Sequence, residues 1–213
     1  MLPFSAEALF GQFGQYNSAI WPAPVSAFLL GALALWLLFE PRANSGRIIS
    51  GILALFWAWN GAVYHLAWFS EINFLAPMFG IFFLAEGAVL LWFGVVRDQY
   101  DYRLGRTLAD WTGLALVIFA LAGYPLLAAQ LGHVWPETPF FGVAPCPTTL
   151  FTLGVLLMMQ PRVNWPASII PLLWALTGAS GAWILDIRED WSLLIAAVLF
   201  VPLAIAKNGA ALR

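Results

Sequence analysis

The run Pro145-Cys146-Pro147-Thr148-Thr149 sets the chain's single cysteine between two prolines and beside two hydroxyls. Proline lacks an amide hydrogen and disfavours helical geometry in the residue before it. The spacing therefore predicts a helix that begins with Pro147 at its first position and Cys146 as its cap. The 13 residues from Pro147 to Met159 reach roughly 20 Å at 1.5 Å each, short of the ~30 Å apolar core of a bilayer. With Met159 near one membrane face, Cys146 lies about 10 Å inside the other. Phe140–Ala144 then descends as irregular chain, which is tolerated at that depth only inside protein or beside a watery cavity. Free amides at such a helix start attract anionic groups, and the same dipole favours a thiolate at Cys146. The plainer alternative is a proline-kinked helix whose cysteine only packs.

Other polar groups fall inside apolar stretches. Asn60, Gly61, Tyr64 and Trp68 share one helical face with Trp57, and His65 flanks it. Asn60 sits near mid-membrane, where an unpaired amide is costly, so it either bonds a neighbouring helix or lines a polar cavity. Glu86 lies close to the bilayer centre, where a carboxylate must be protonated, paired or wetted. Gly123-Tyr124-Pro125 should kink its helix. The small residues Thr177, Gly178, Ser180, Gly181 and Ala182 read as a packing face. His133 and Glu137 read as solvated connector residues.

His65, His133 and Cys146 are weak candidates for a soft metal, because no C-x-x-C or H-x-x-x-H spacing accompanies them. Lys207 is the only lysine and sits at a helix end, which argues against a retinal Schiff base. Two histidines are too few for a three-histidine membrane hydrolase. No nucleophile-elbow, phosphate-loop or dinucleotide motif is present, so no cofactor is expected.

The elements that position these groups are apolar segments near the ~20 residues a span requires. They run Trp21–Phe39, Ile48–Phe69, Asn73–Val96, Thr112–Leu131, Phe140–Met159, Pro166–Leu185 and Trp191–Ala206. Of the 213 residues, 62% are hydrophobic and 9% charged, against about a quarter charged in soluble domains. The net charge of -2, without a basic stripe, excludes a nucleic-acid partner. One cysteine excludes an internal disulfide.

If the seven segments alternate, Arg42, Arg47, Arg97, Arg103, Arg106, Arg162, Lys207 and Arg213 share one side, leaving only Arg188 on the other. The positive-inside rule then puts that side in the cytoplasm. The expected architecture is an all-α polytopic bundle of about seven transmembrane helices, amino terminus outside and carboxyl terminus cytoplasmic. Residues 1–20 carry no basic residue or cleavage site and read as an interfacial helix capped by Ser5. Residues 21–206 form the membrane domain and 207–213 a short tail.

Four stretches carry a resemblance: YNSAIWPA (Tyr16–Ala23), YHLAWFSEIN (Tyr64–Asn73), AGYPLL (Ala122–Leu127) and GVAPCPTTLFTLG (Gly142–Gly154). Over nearly its whole length the chain resembles a bacterial membrane-protein family, domain of unknown function 6064. That resemblance implies a multi-pass protein of the bacterial inner membrane, sometimes labelled permease, with no assigned activity. The family's motif positions fall here on His65, Tyr124, Pro125, His133, Pro145, Cys146, Pro147, Thr148 and Thr149. Glutamine is common in the family where this chain has Glu86, which weighs against an obligatory protonation role.

The leading expectation is a small-solute or ion permease with an outward-facing site at the PCPTT break. Asn60, Tyr64, His65, Glu86, Tyr124, Cys146, Thr148 and Thr149 are its candidate binding residues. A membrane-embedded enzyme or redox partner using the thiol or a metal is one rival, and a sensor or assembly scaffold is the other.

Overall fold

The computed structural model describes residues 3–212 and is all-helical, apart from one short strand pairing. Its helices are α1 (Ala6–Ala19), α2 (Ala23–Phe39), α3 (Ser45–Trp59), α4 (Ala76–Val89), α5 (Leu108–Ile118), α6 (Tyr124–Gln130), α7 (Pro145–Leu157), α8 (Ile169–Leu185) and α9 (Trp191–Ala210). Three of them run on into wider π-helical turns: α3 through Asn60–Trp68, α4 through Leu90–Val96 and α5 through Phe119–Gly123. Strands β1 (Asp101–Tyr102) and β2 (Met159–Gln160) pair antiparallel.

The helix starts follow from local chemistry. Ser5 accepts from the Ala8 amide at 3.2 Å, and Thr107 with Asp110 forms a reciprocal capping box on α5. Prolines 24, 77 and 145 stand in first turns, where their missing amide hydrogen costs nothing. The Gly123-Tyr124-Pro125 sequence does not snap its helix. The π turn ending at Gly123 leads into α6, and Leu108–Gln130 remains one long apolar helix.

Among the described residues five helices are long and apolar enough to cross a membrane: Ser45–Glu71, Ala76–Val96, Leu108–Gln130, Pro166–Leu185 and Arg188–Ala210. A sixth arises if α1 and α2, which meet at 86°, count as one broken span. Large apolar side chains point outward around the bundle: Leu29, Ile81, Leu126, Trp183 and Val198 are 63–74% exposed. A soluble monomer rarely tolerates so much exposed apolar surface, whereas lipid would cover it. The short helix α7 differs. It is the apolar centre of the bundle, buried at every position but Cys146.

Two glycines let α5 reach α7. A Cβ on Gly113 would fall 2.5 Å from the Gly154 carbonyl oxygen, and one on Gly154 would fall 2.6 Å from that of Gly113. At one end of the bundle the basic connectors meet. The Leu104 amide donates to Leu38 O, Arg103 N to Met158 O, and Arg47 Nε to Val95 O. Beneath them Lys207 Nζ donates to Asp110 Oδ1 at 2.6 Å and to Leu157 O at 2.8 Å, joining α9, α5 and α7. The α1 helix covers the opposite end, with Phe10, Phe13 and Tyr16 buried.

Candidate functional site

The covered end holds a cavity of about 140 Å³ between α1, the π turn of α3, the start of α7, α8 and the turn before α9. Of the candidate binding residues, Tyr64, Tyr124 and Cys146 line it, as do Thr177, Gly178, Ser180 and Gly181, which the sequence had marked as a packing face. They come together because residues 139–144 enter without helical structure and α7 starts inside the protein.

That irregular segment is held by named bonds. Tyr16 Oη donates to Val143 O at 2.8 Å, and Asn60 Nδ2 donates to Gly142 O at 3.1 Å. Thr148 Oγ1 accepts from the Gly142 amide at 3.0 Å and donates to Ala144 O at 2.6 Å. Gly142 has φ of +81°, and a Cβ there would sit 2.6 Å from that of Ala27, so only glycine fits. Asn60 and Thr148 therefore brace the segment that leads into α7 and do not line the cavity. The helix also starts earlier than expected. Ala144 is the cap, Pro145 takes the first position and Cys146 the second, because proline fits the first position of a helix best.

Cys146 faces an acid. Its Sγ donates to Asp190 Oδ2 at 3.4 Å, and Tyr124 Oη donates to Asp190 Oδ1 at 2.6 Å. The neighbouring Glu189 is fully buried, with Oε1 2.6 Å from Nδ1 of His133 and Oε2 unpartnered. His133 in turn stacks on Phe10, ring centroids 3.4 Å apart. The expectation of a solvated His133 is thus corrected, because Phe10 of α1 stacks on it; in the neighbouring turn Asp186 and Arg188 are exposed while Glu189 and Asp190 are buried. Asp190 was readable in one respect: it directly precedes the apolar run of α9, where a helix start favours an acid.

The remaining candidates lie outside the cavity lining. His65 is fully buried among Phe69, Phe79, Phe83 and Trp174, and neither ring nitrogen has a partner among the described residues. Glu86 is fully buried on α4 with both oxygens unpartnered, and Thr149 Oγ1 likewise lacks a partner. Burial first, with a smaller contribution from Glu86, pushes the Tyr100 phenol up to about 12. His65, His133 and Cys146 do not converge, and among the described residues no three His, Cys, Asp or Glu side chains gather to hold a metal.

Aromatic rings from Phe10, Phe13, Tyr64 and Trp174 wall the cavity, and Asp190 is the one charged group lining it among the described residues. Such a site can receive an apolar or aromatic body and fix a hydrogen-bond donor or a positive charge. A thiol that donates to a carboxylate is a protonated thiol, and no imidazole is bonded to it.

Residues 6–211 match the model described as Family of unknown function, DUF6064. No curated protein and no solved structure matches the chain.

Proposed function

The chain belongs to the DUF6064 family, and we propose that it is a bacterial inner-membrane permease for a small solute, held first in the cavity of Tyr64, Cys146 and Asp190. The observation that carries this reading is the cavity itself, an aromatic chamber with one acid on its wall at the end of an apolar bundle. Beyond it, Asn60 Oδ1, His65, Thr149 and Glu86 carry buried polar atoms without partners, contributed by helices α3, α4 and α7. Unpartnered polar atoms are costly at membrane depth and are retained where a solute, ion or proton must pass.

The membrane placement is part of the same proposal. Counting α2, and α7 together with its irregular entry, gives seven crossings. The end where Arg47, Arg103 and Lys207 gather then faces the cytoplasm, as the positive-inside rule requires. A reporter fused after residue 213 should be active only in the cytoplasm; periplasmic activity would reverse the orientation.

A thiol enzyme is the weaker reading, since Asp190 holds the S–H of Cys146. The permease reading is tested by uptake into proteoliposomes, with and without a pH gradient, for wild type and Asp190→Asn. Solute entry that needs Asp190 supports it. Vesicles that admit no more than protein-free controls, across amines, amino acids, sugars and monovalent cations, would dismiss it.

A further inference from the structure

A second cavity, of about 190 Å³, opens between α4 and α8. It shares Phe79, Trp174 and Thr177 with the first, so the two adjoin. Of its five other lining residues, Phe83 and Ile170 lie inward, while Met78, Phe82 and Leu173 are 45%, 47% and 54% exposed on the same apolar surface that lipid would cover. The hydroxyl of Thr177 is turned onto its own helix, donating to Leu173 O at 2.9 Å. The cleft is therefore apolar and adjoins the aromatic chamber that holds Asp190.

We infer that the ligand of this site is a single-chain lipophilic amine that enters sideways from the bilayer between α4 and α8. The inference rests on the cavity being the solute site proposed above. Its alkyl chain lies in the α4–α8 cleft, whose lining is hydrocarbon and aromatic. Its ammonium group meets Asp190, the one charge on the cavity wall among the described residues.

Both Asp190 oxygens already accept one bond, from Tyr124 and from Cys146, and each keeps a further lone pair for the ammonium. Tyr64 and Trp174 line the same cavity as that acid. No Lys or Arg among the described residues lines either cavity, and Arg188 is engaged outside with Asp186. Among the described residues the acid pair Glu189–Asp190 has only His133 bonded to it as a base, so a cation suits this wall and an anionic head would oppose it.

The full chain in nanodiscs is titrated with radiolabelled n-alkylamines from butyl to dodecyl and with alcohols of the same lengths, empty nanodiscs being subtracted. Aqueous affinity should rise by about fourfold per methylene as the tail leaves water. Amines should exceed alcohols at least tenfold, and Asp190→Asn should erase that preference while still binding the alcohols. Thr177→Trp, at the junction of the cavities, should abolish the gain for long chains and spare butylamine.

Butylamine binding as tightly as dodecylamine would overturn lateral entry but leave the solute cavity standing. Alcohols binding as well as amines would overturn the ammonium assignment. If Asp190→Asn also lost the alcohols, the wild-type preference for amine over alcohol would decide. Uptake of a water-soluble solute with no alkylamine binding would sink this inference alone, whereas neither uptake nor binding would sink the permease reading too.

Discussion

Tyr124 and Cys146 hold opposite oxygens of the same carboxylate, Asp190, at 2.6 Å and 3.4 Å. The shorter, better bond should matter more. Tyr124→Phe removes a hydrogen bond to a buried charge and should cost roughly 1.5–3 kcal/mol. Cys146→Ser keeps a donor in place and should cost less, with Cys146→Ala between the two. Thermal unfolding in detergent ranks them, and a serine variant as damaged as Tyr124→Phe would contradict the arrangement.

The crossing of α5 and α7 depends on Gly113 and Gly154, each of whose missing Cβ atoms would collide with the other's carbonyl oxygen. Backbone cannot yield as a flexible side chain does. Gly113→Ala or Gly154→Ala should therefore push the helices apart and cost roughly 1–3 kcal/mol. Because α7 carries Cys146, ligand affinity should fall along with the melting temperature; an unchanged melt would show that the crossing is looser.

How much of this was legible beforehand depended on range. Apolar runs announced every main helix, because spanning length and hydropathy are local properties. The PCPTT run foretold a helix beginning inside the protein, because proline constrains its own backbone. The π turns over Asn60–Trp68 and Phe119–Gly123 were invisible, since they depend on packing between helices rather than on any residue type. Asp190 was hidden for another reason. Its connector reads as polar surface, and only the folding of α1 across the bundle end, 86° from α2, buries it. Lys207 was expected at a helix end, yet no spacing pointed it at Asp110, 97 residues away.

That buried pair gives a third prediction. Lys207 and Asp110 side chains are 3% and 1% exposed, and Asp110 also accepts from Thr107 and Gln160. Losing either partner strands a charge, so Lys207→Met or Asp110→Leu should cost about 3–5 kcal/mol. The double replacement should cost much less than the sum, since neither charge is then left alone. A double-mutant cycle on reversible unfolding reads the difference. Strict additivity would mean the two charges are not coupled.

Glu86 separates a stability role from a transport role. Both its oxygens are buried and unpartnered, so the side chain contributes desolvation cost and no compensating bond. Glu86→Leu should raise stability by about 1–3 kcal/mol, the penalty for burying an unsatisfied polar group, and Glu86→Gln should be close to neutral. A residue that lowers folding stability can serve a use elsewhere. If that use is to exchange a proton with the solute path, uptake by the Glu86→Gln protein should ignore an imposed pH gradient to which the wild type responds. Proteoliposomes with the gradient set in either direction measure this alongside the melting curves. A Glu86→Gln protein that folds normally and still follows the gradient would take Glu86 out of the path.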